Sequence, residues 1–433
     1  MQGTEDVLPG RWGHWRALYV TARRLFERYG YGEIRTPIFE DTRLFVKGTG
    51  ETTEIVEKQM YSIPRAGTTT TPGPEVAVEG ITLRPEGTPP VIRSYLEHSL
   101  HKRRSFQKLY YIGPMFRRER PQRGRLRQFH QLGVEAIGSD SPLLDAETII
   151  LAADILREVG LSGSKTFINS MGCAECRPAM RRKLHAALAQ RLGELGEGDR
   201  ERLQRNVFRV LDSKDERSRA IVADLPPITA DLCPACAAHY EQVKAALAEA
   251  GLEFEEDGHL VRGLDYYTRT VYEIKHEGLG ARDTLCGGGR YDDLVELLGG
   301  PPMPCVGFAM GAEATILAME GELGPPPESS MGLGVYVVCF AEDARRACFE
   351  LVQELRRAGM RADMDFEGRS PKAQMRAANR LGAPICLLMG PDELKANKVT
   401  IKAMAAKKQW SVDRSELVPE LEAQSLGMRG EGT

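Results

Sequence analysis

The chain has 433 residues, 42% of them hydrophobic, and a formal net charge of −3. Such a length gives two or three domains with several buried cores, and the near-neutral charge excludes a basic protein that coats nucleic acid, so any RNA contact must come from local Lys and Arg clusters. No run of about 18 apolar residues occurs, so no membrane span is expected; Met1-Gln2-Gly3-Thr4-Glu5-Asp6 lacks the basic flank and apolar core of an export signal, and a cytoplasmic protein is expected.

The first element is a helix over Trp12–Tyr29, where Trp15, Leu18, Tyr19, Ala22, Leu25 and Phe26 recur at three- and four-residue steps. A strand-like run from Tyr31 ends at Pro37, and Arg65 to Pro74, rich in Thr, Pro and Gly, reads as an exposed loop. Asp140-Ser141-Pro142 opens a second amphipathic helix, continued by Ile149, Ile150, Ala153, Leu156 and Val159. Residues 161–252 then change character to charged helices bracketed by two Cys-x-x-Cys pairs, as an inserted domain would. Strand-like Thr270–Ile274 follows, and residues 321–334, with Pro325-Pro326-Pro327-Glu328-Ser329-Ser330, form the clearest linker. Beyond it, strand patterns at Val335–Phe340, Arg361–Phe366 and Pro384–Met389 alternate with helices over Glu342–Ala358 and Ser370–Leu381, which predicts a layered, parallel α/β domain. Lys395, Lys398, Lys402, Lys407 and Lys408 make its local basic cluster.

Leu260-Val261-Arg262-Gly263-Leu264-Asp265-Tyr266-Tyr267-Thr268 carries the most chemistry. A guanidinium offers forked donors to phosphate or carboxylate oxygens, and adjacent phenols supply flat apolar walls with a polar tip. The combination suits a pocket for an aromatic, hydrogen-bonding ligand beside an anionic group. Three further segments accompany it: Leu83-Arg84-Pro85-Glu86-Gly87-Thr88; Gly113-Pro114-Met115-Phe116-Arg117-Arg118-Glu119-Arg120, leading to Gln128-Phe129-His130-Gln131-Leu132-Gly133-Val134-Glu135; and Cys286-Gly287-Gly288-Gly289-Arg290-Tyr291-Asp292, which precedes Val306-Gly307-Phe308-Ala309-Met310-Gly311. Together these segments closely resemble the histidyl-tRNA synthetases, a class II aminoacyl-tRNA synthetase family, from about Gly3 to beyond Lys402. The Arg-Gly-Leu-Asp-Tyr-Tyr-Thr stretch is the part particular to the histidine enzymes.

The resemblance implies an α+β catalytic domain with a mainly antiparallel sheet (residues 1–160 and 253–320), the helical insertion at 161–252, and a C-terminal anticodon-binding α/β domain at 335–425. It implies a homodimer, built on the first helix and strand, that ligates L-histidine to histidine tRNA through histidyl-adenylate, using ATP with Mg2+. Arg117 and Arg262 match the arginines flanking the α-phosphate, with Arg117 also holding the histidine carboxylate, and Glu119 matches the acidic contact to adenine. Glu86, Thr88 and Gln131 match the ammonium site, and Glu135 and Tyr267, with Tyr266 beside them, the imidazole site. The loop bearing Arg123, Arg125 and Arg127 matches the one that meets the tRNA acceptor end. A regulatory, non-catalytic paralogue of the same fold is the rival reading; it would lack the C-terminal domain and degrade the Tyr-Tyr segment, and this chain keeps both.

Two departures stand out. Ala314, in Gly311-Ala312-Glu313-Ala314-Thr315, occupies the place of an arginine that stacks on adenine, and a methyl provides neither cation nor stacking plane. Gln2 stands where an arginine usually precedes Gly-Thr, which suggests a clipped start. The pairs Cys173/Cys176 and Cys233/Cys236 fit either a zinc site of two knuckles or two capped turns with inert thiols; their separation of about 57 residues exceeds the spacings recognised for small zinc sites.

Overall fold

A computed structural model describes residues 2–50, 53–64, 80–122, 124–280, 283–325 and 334–429. The loop expected at Arg65–Pro74, Arg123, and most of the Pro-rich linker lie outside the described residues. The chain forms two compact units, Met1–Pro326 and Pro327–Thr433.

The first unit is built on strands β1 (Gly32–Glu33), β2 (Phe39–Asp41), β3 (Tyr61–Pro64), β4 (Gly80–Leu83), β5 (Gln107–Phe116), β6 (Gln128–Ile137), β7 (Ser164–Ser170), β8 (Glu255–Glu256), β9 (Thr268–His276), β10 (Thr284–Arg290) and β11 (Cys305–Gly311). Eight of them form one sheet in the order β1-β5-β6-β11-β10-β9-β7-β8, antiparallel except at the outer β1–β5 and β7–β8 pairs. The mixed, mainly antiparallel sheet is therefore as expected. β2, β4 and β3 make a small separate sheet.

Helices Trp12–Arg28, Pro142–Glu158 and Ala312–Leu323 cover one face of the large sheet. The first buries Leu18, Ala22, Leu25 and Phe26, the stripe its periodicity predicts, and Phe26 stacks on Tyr110 of β5 at 4.8 Å. Pro142 sits in the first turn of the second, where its missing N–H costs nothing. The other face of the sheet carries the site described below, and the helices Cys176–Gln190, Glu197–Arg205 and Glu216–Ala223 share a second core with it through Tyr266, Tyr267, Val271 and Tyr291.

Three boundaries differ from the sequence reading. The stretch 161–252 opens with β7, a strand of the large sheet, and closes with helix Pro234–Glu249, whose Tyr240, Val243 and Leu247 belong to the core under that sheet. Only the part between them lies outside that core and packs in the second one; charge on its outer helix faces hides the shared elements from a sequence reading. Helix Ala312–Leu323 also runs into the stretch read as linker, and β1 is only two residues long, ending well before Pro37.

The second unit has five strands, β12 (Val335–Cys339), β13 (Ala362–Met364), β14 (Ile385–Met389), β15 (Lys398–Ala403) and β16 (Lys408–Asp413), in the order β13-β12-β14-β15-β16. Its first three are parallel, with helix Arg345–Arg357 against one face and Pro371–Arg380 against the other, as predicted. β15 and β16 are an antiparallel addition whose alternation is hidden by the lysines they carry. No helix among the described residues is long and apolar enough to cross a membrane.

One buried ion pair joins helix Pro142–Glu158 to the sheet. Arg290 at the end of β10 pairs with Asp145, both side chains being 0% exposed, and its remaining donors reach Asp292 at 3.1 Å and the Ser139 carbonyl at 3.0 Å. Removing one partner strands a charge in the interior. Asp145→Ala is expected to destabilise the protein by about 3–5 kcal/mol in equilibrium denaturation; a loss under about 1 kcal/mol would mean that Arg290 is satisfied without Asp145.

Candidate active site

Strand alternation places one set of side chains over the open face of the sheet. On β6, Gln131, Gly133 and Glu135 point the same way; across the ladder Glu135 lies opposite Gly307 of β11, and Glu273 of β9 lies opposite Gly287 of β10. The glycines are required by what lies on them. A Cβ on Gly287 would coincide with the Arg262 guanidinium, and one on Gly307 with the Glu135 carboxylate. The run Gly287-Gly288-Gly289 thus makes room for an arginine and for whatever that arginine faces.

Above this floor is a cavity of about 270 Å³ lined by Glu86, Thr88, Arg117, Glu119, Arg125, Gln131, Arg262, Tyr266, Tyr267, Tyr291, Glu313 and Ala314, with small residues of β10 and β11 between them. Its charges are largely out of water. Arg117 donates from Nε to the Pro85 carbonyl at 2.9 Å and lies over the Phe129 ring at 5.2 Å. Burial pulls its pKa down, against the pull of Glu86. Burial likewise pushes the Glu86 carboxyl up to about 7, although Arg117 and a hydrogen bond from the Tyr266 hydroxyl at 2.9 Å oppose it; Glu86 Oε1 has no partner. Burial opposes the charge on Arg262 too, but its ion pair with Glu273 prevails and keeps it cationic. The Arg262 Nε and Gln131 Oε1 are also buried without partners. Such orphaned donors and acceptors, on residues that line one polar cavity, are what a bound polar ligand would satisfy.

Glu135 sits one layer down. It is 1% exposed, does not line the cavity, and accepts from Thr88 Oγ1 at 2.7 Å on one oxygen and from the Tyr291 hydroxyl on the other. Burial lifts its pKa to about 8, against both hydrogen bonds. Tyr266 stands between the two other phenols, its ring 4.7 Å from Tyr267 and 5.6 Å in edge contact with Tyr291.

The structure thus brings Glu86, Thr88, Arg117, Glu119, Arg125, Gln131, Arg262, Tyr266 and Tyr267 to one cavity, from segments as far apart as β4 and β9, with Glu135 beneath it. Arg125 lies inside, paired with the Glu119 carboxylate, whereas Arg127 is tied to backbone, donating to the Glu119 carbonyl at 3.1 Å. Ala314 does face the cavity, beside Glu313, which binds the His130 backbone N–H at 2.8 Å and its ring Nδ1 at 2.9 Å. Sequence reasoning missed Tyr291 and Glu273. Tyr291 stood in the glycine segment but has no charge to attract notice, and Glu273 lies in an otherwise ordinary strand, its role visible only through the register with Gly287.

Outside this cavity, Cys173, Cys176, Cys233 and Cys236 converge, their sulfurs all within 4.8 Å of one another, a set that could hold a metal ion.

Residues 3–315 match the family described as Histidyl-tRNA synthetase, and residues 334–424 match the Anticodon binding domain. The histidine–tRNA ligase of Moorella thermoacetica is 47% identical over 418 residues, 96% of this chain and 96% of that protein. That of Halothermothrix orenii is 44% identical over 421 residues, 97% of this chain and 98% of its own length. In three dimensions the chain is similar to apo S. aureus histidyl-tRNA synthetase, with a TM-score of 0.79 at 36% identity over 97% of this chain and 98% of that one. Every residue that lines the cavity falls inside the first matched stretch and the second compact unit coincides with the other, so the chain belongs to the histidyl-tRNA synthetase family.

Proposed function

We propose that this chain ligates histidine to its tRNA, and that the cavity over β6, β9, β10 and β11 carries out both steps. The observation that carries the reading is the pair of buried cations, Arg117 and Arg262, on one cavity with an unsaturated Glu86 carboxylate and two phenols. In the first step a histidine carboxylate oxygen attacks the α-phosphorus of ATP; a new P–O bond forms, the α–β bridging bond breaks, and pyrophosphate leaves. In the second, a hydroxyl of the terminal tRNA ribose attacks the adenylate carbonyl and AMP leaves. Transfer at phosphorus needs alignment and neutralisation of charge more than covalent help. Arg117 and Arg262 supply these from fixed positions, Arg262 giving up part of its bond with Glu273 to the phosphate.

Histidine is chosen by the rest. Its ammonium meets Glu86, Thr88 and Gln131, where an ionised Glu86 and the unpartnered Gln131 oxygen accept its hydrogen bonds. Its imidazole lies against Tyr266 and Tyr267. Glu135 reaches that ring through Thr88 and Tyr291, or directly once either releases it. Such a site leaves its own polar groups unpaired when an amino acid lacks a ring nitrogen, which is the stronger form of selection. Glu119 takes the adenine end of ATP. Ala314 gives that base no cation, so the nucleotide is held chiefly through its phosphates. Magnesium would come with ATP and would supply neutralisation of phosphate charge; the cavity's Glu119 and Glu313 are engaged by Arg125 and His130, so the nucleotide itself would be the ion's main support.

Arg125 and Arg127, with Arg123 of the same loop by sequence, receive the tRNA acceptor end, and the C-terminal unit meets the anticodon stem with its exposed Lys395, Lys398, Lys407 and Lys408 and half-buried Lys402. A cytoplasmic homodimer completes the reading. Ile38, Phe39, Ile63 and Ile81 are 44%, 58%, 58% and 39% exposed around the small β2-β4-β3 sheet, an apolar patch of the kind that marks an interface. A solution mass of 48.0 kDa, that of one chain, would contradict the dimer; twice that value is expected.

The activity is tested by ATP–pyrophosphate exchange. Exchange should occur with histidine and stay at background with other amino acids; histidine binding without exchange would favour the regulatory paralogue. Arg262→His should lower the turnover of exchange by about 100-fold or more, while histidine affinity changes less than about fivefold, because the lost interaction is made mainly with charge in the transition state. Equal losses in both would reassign Arg262 to holding the strand.

A further inference from the structure

We infer that Cys173, Cys176, Cys233 and Cys236 form a structural zinc site that clamps the helical insertion to the start of β9, directly after the paired tyrosines. The sulfur geometry fits this ion. Cys173 Sγ lies 3.7 Å from Cys176 Sγ and 4.0 Å from Cys233 Sγ. A tetrahedron with Zn–S bonds of about 2.3 Å has S···S edges of about 3.8 Å, whereas a disulfide requires about 2.05 Å. All nine cysteines are free. Four sulfurs and no oxygen ligand suit a soft ion rather than magnesium or calcium.

The backbone around them is shaped for the same purpose. Cys173 accepts from the N–H groups of Cys176 and Arg177, both at 3.1 Å, closing the turn that starts helix Cys176–Gln190. Cys233 caps helix Pro234–Glu249 and gives its own N–H to Cys176 Sγ at 3.2 Å, a bond that favours the thiolate. Gly172, at φ +63°, packs directly against Cys176, where a Cβ would collide with that side chain. The pairs are far apart in sequence because the insertion loops out between them. They are adjacent in space because both open helices at its neck.

What the ion would hold follows from two hydrogen bonds. The Gly172 carbonyl accepts from Arg269 N–H at 2.8 Å, and the Arg269 carbonyl accepts from Met171 N–H at 2.6 Å. Arg269 has φ +46°, a left-handed conformation that a bulky residue keeps only when its surroundings enforce it. It follows Tyr266-Tyr267-Thr268 directly. On the other side, Arg177 lines a second cavity of about 230 Å³ together with Arg181, Arg209, Arg262 and Tyr267. Its Nε is buried without a partner, and a tetrathiolate zinc centre, net −2, supplies a charge beside it. The clamp therefore fixes both the strand end behind the tyrosines and the first arginine of the insertion.

Metal content of the full-length protein, purified without chelator and dialysed, tests this independently of ligase activity. About one zinc per chain is expected, since site formation is coupled to folding. Cys176→Ser and Cys236→Ser should reduce it to under about a tenth, while Cys339→Ser, in the other unit, keeps it. Should the serine variants fail to fold, wild-type protein loaded with cobalt(II) still decides, because four thiolates give intense charge-transfer and tetrahedral absorption bands. Metal-free folded protein, iron in place of zinc, or an octahedral cobalt spectrum would each overturn the proposal.

Discussion

Charged groups kept out of water without full compensation are the constraint on which this structure turns. Arg117, Arg262 and Glu86 share one cavity and Glu135 lies beneath it. Two unit charges 4 Å apart interact by about 4 kcal/mol at an effective dielectric of about 20, several times their worth in bulk water. That gain applies equally to a substrate's phosphate, carboxylate and ammonium. Before a substrate enters, the same dryness is a cost. It appears as an arginine pulled down, two carboxyls pushed up to about 7 and about 8, and polar atoms left without partners.

The rest of the first unit can be understood as what supports such a cavity. Antiparallel register sets Glu135 against Gly307 and Glu273 against Gly287, so each charged side chain lies over a residue with no side chain of its own. Three helices behind the sheet fill its other face with apolar contacts, and the Arg290–Asp145 pair locks one of them to the strand that carries the glycines. A flexible floor would let Arg262 and Arg117 relax toward solvent and lose the advantage of dryness. Rigid placement is what allows stabilisation of developing charge without reorganisation.

Much of this was legible in the sequence. The helix over Trp12–Arg28, the start at Pro142 and the parallel part of the C-terminal sheet announce themselves through periodicity and caps, which are local. The cavity residues were legible because arginines, tyrosines and glycines at those spacings resemble a known family. What stayed hidden depends on pairing between distant segments. Tyr291 matters through Glu135, and Glu273 through Arg262. The place of β7 in the large sheet depends on its pairing with β9, about a hundred residues later. Spacing along the chain likewise argued against the cysteine pairs sharing a site, and the loop-out of the insertion removes that objection.

Burial holds Glu86 partly protonated, and on the proposed function it ionises when it meets the histidine ammonium. Calorimetric titration with L-histidine at pH 7, in buffers of different ionisation enthalpy, counts the protons released. A carboxyl raised by burial to about 7 is partly protonated there, so wild-type protein should release a measurable fraction of a proton per histidine bound. The sign follows from a raised pKa: below it the carboxyl holds a proton that binding must expel, so release grows as pH falls through 7. In Glu86→Gln only the small contribution of the ligand's own imidazole should remain, with weaker binding. Equal proton release by the two proteins would mean that Glu86 carries no proton to lose.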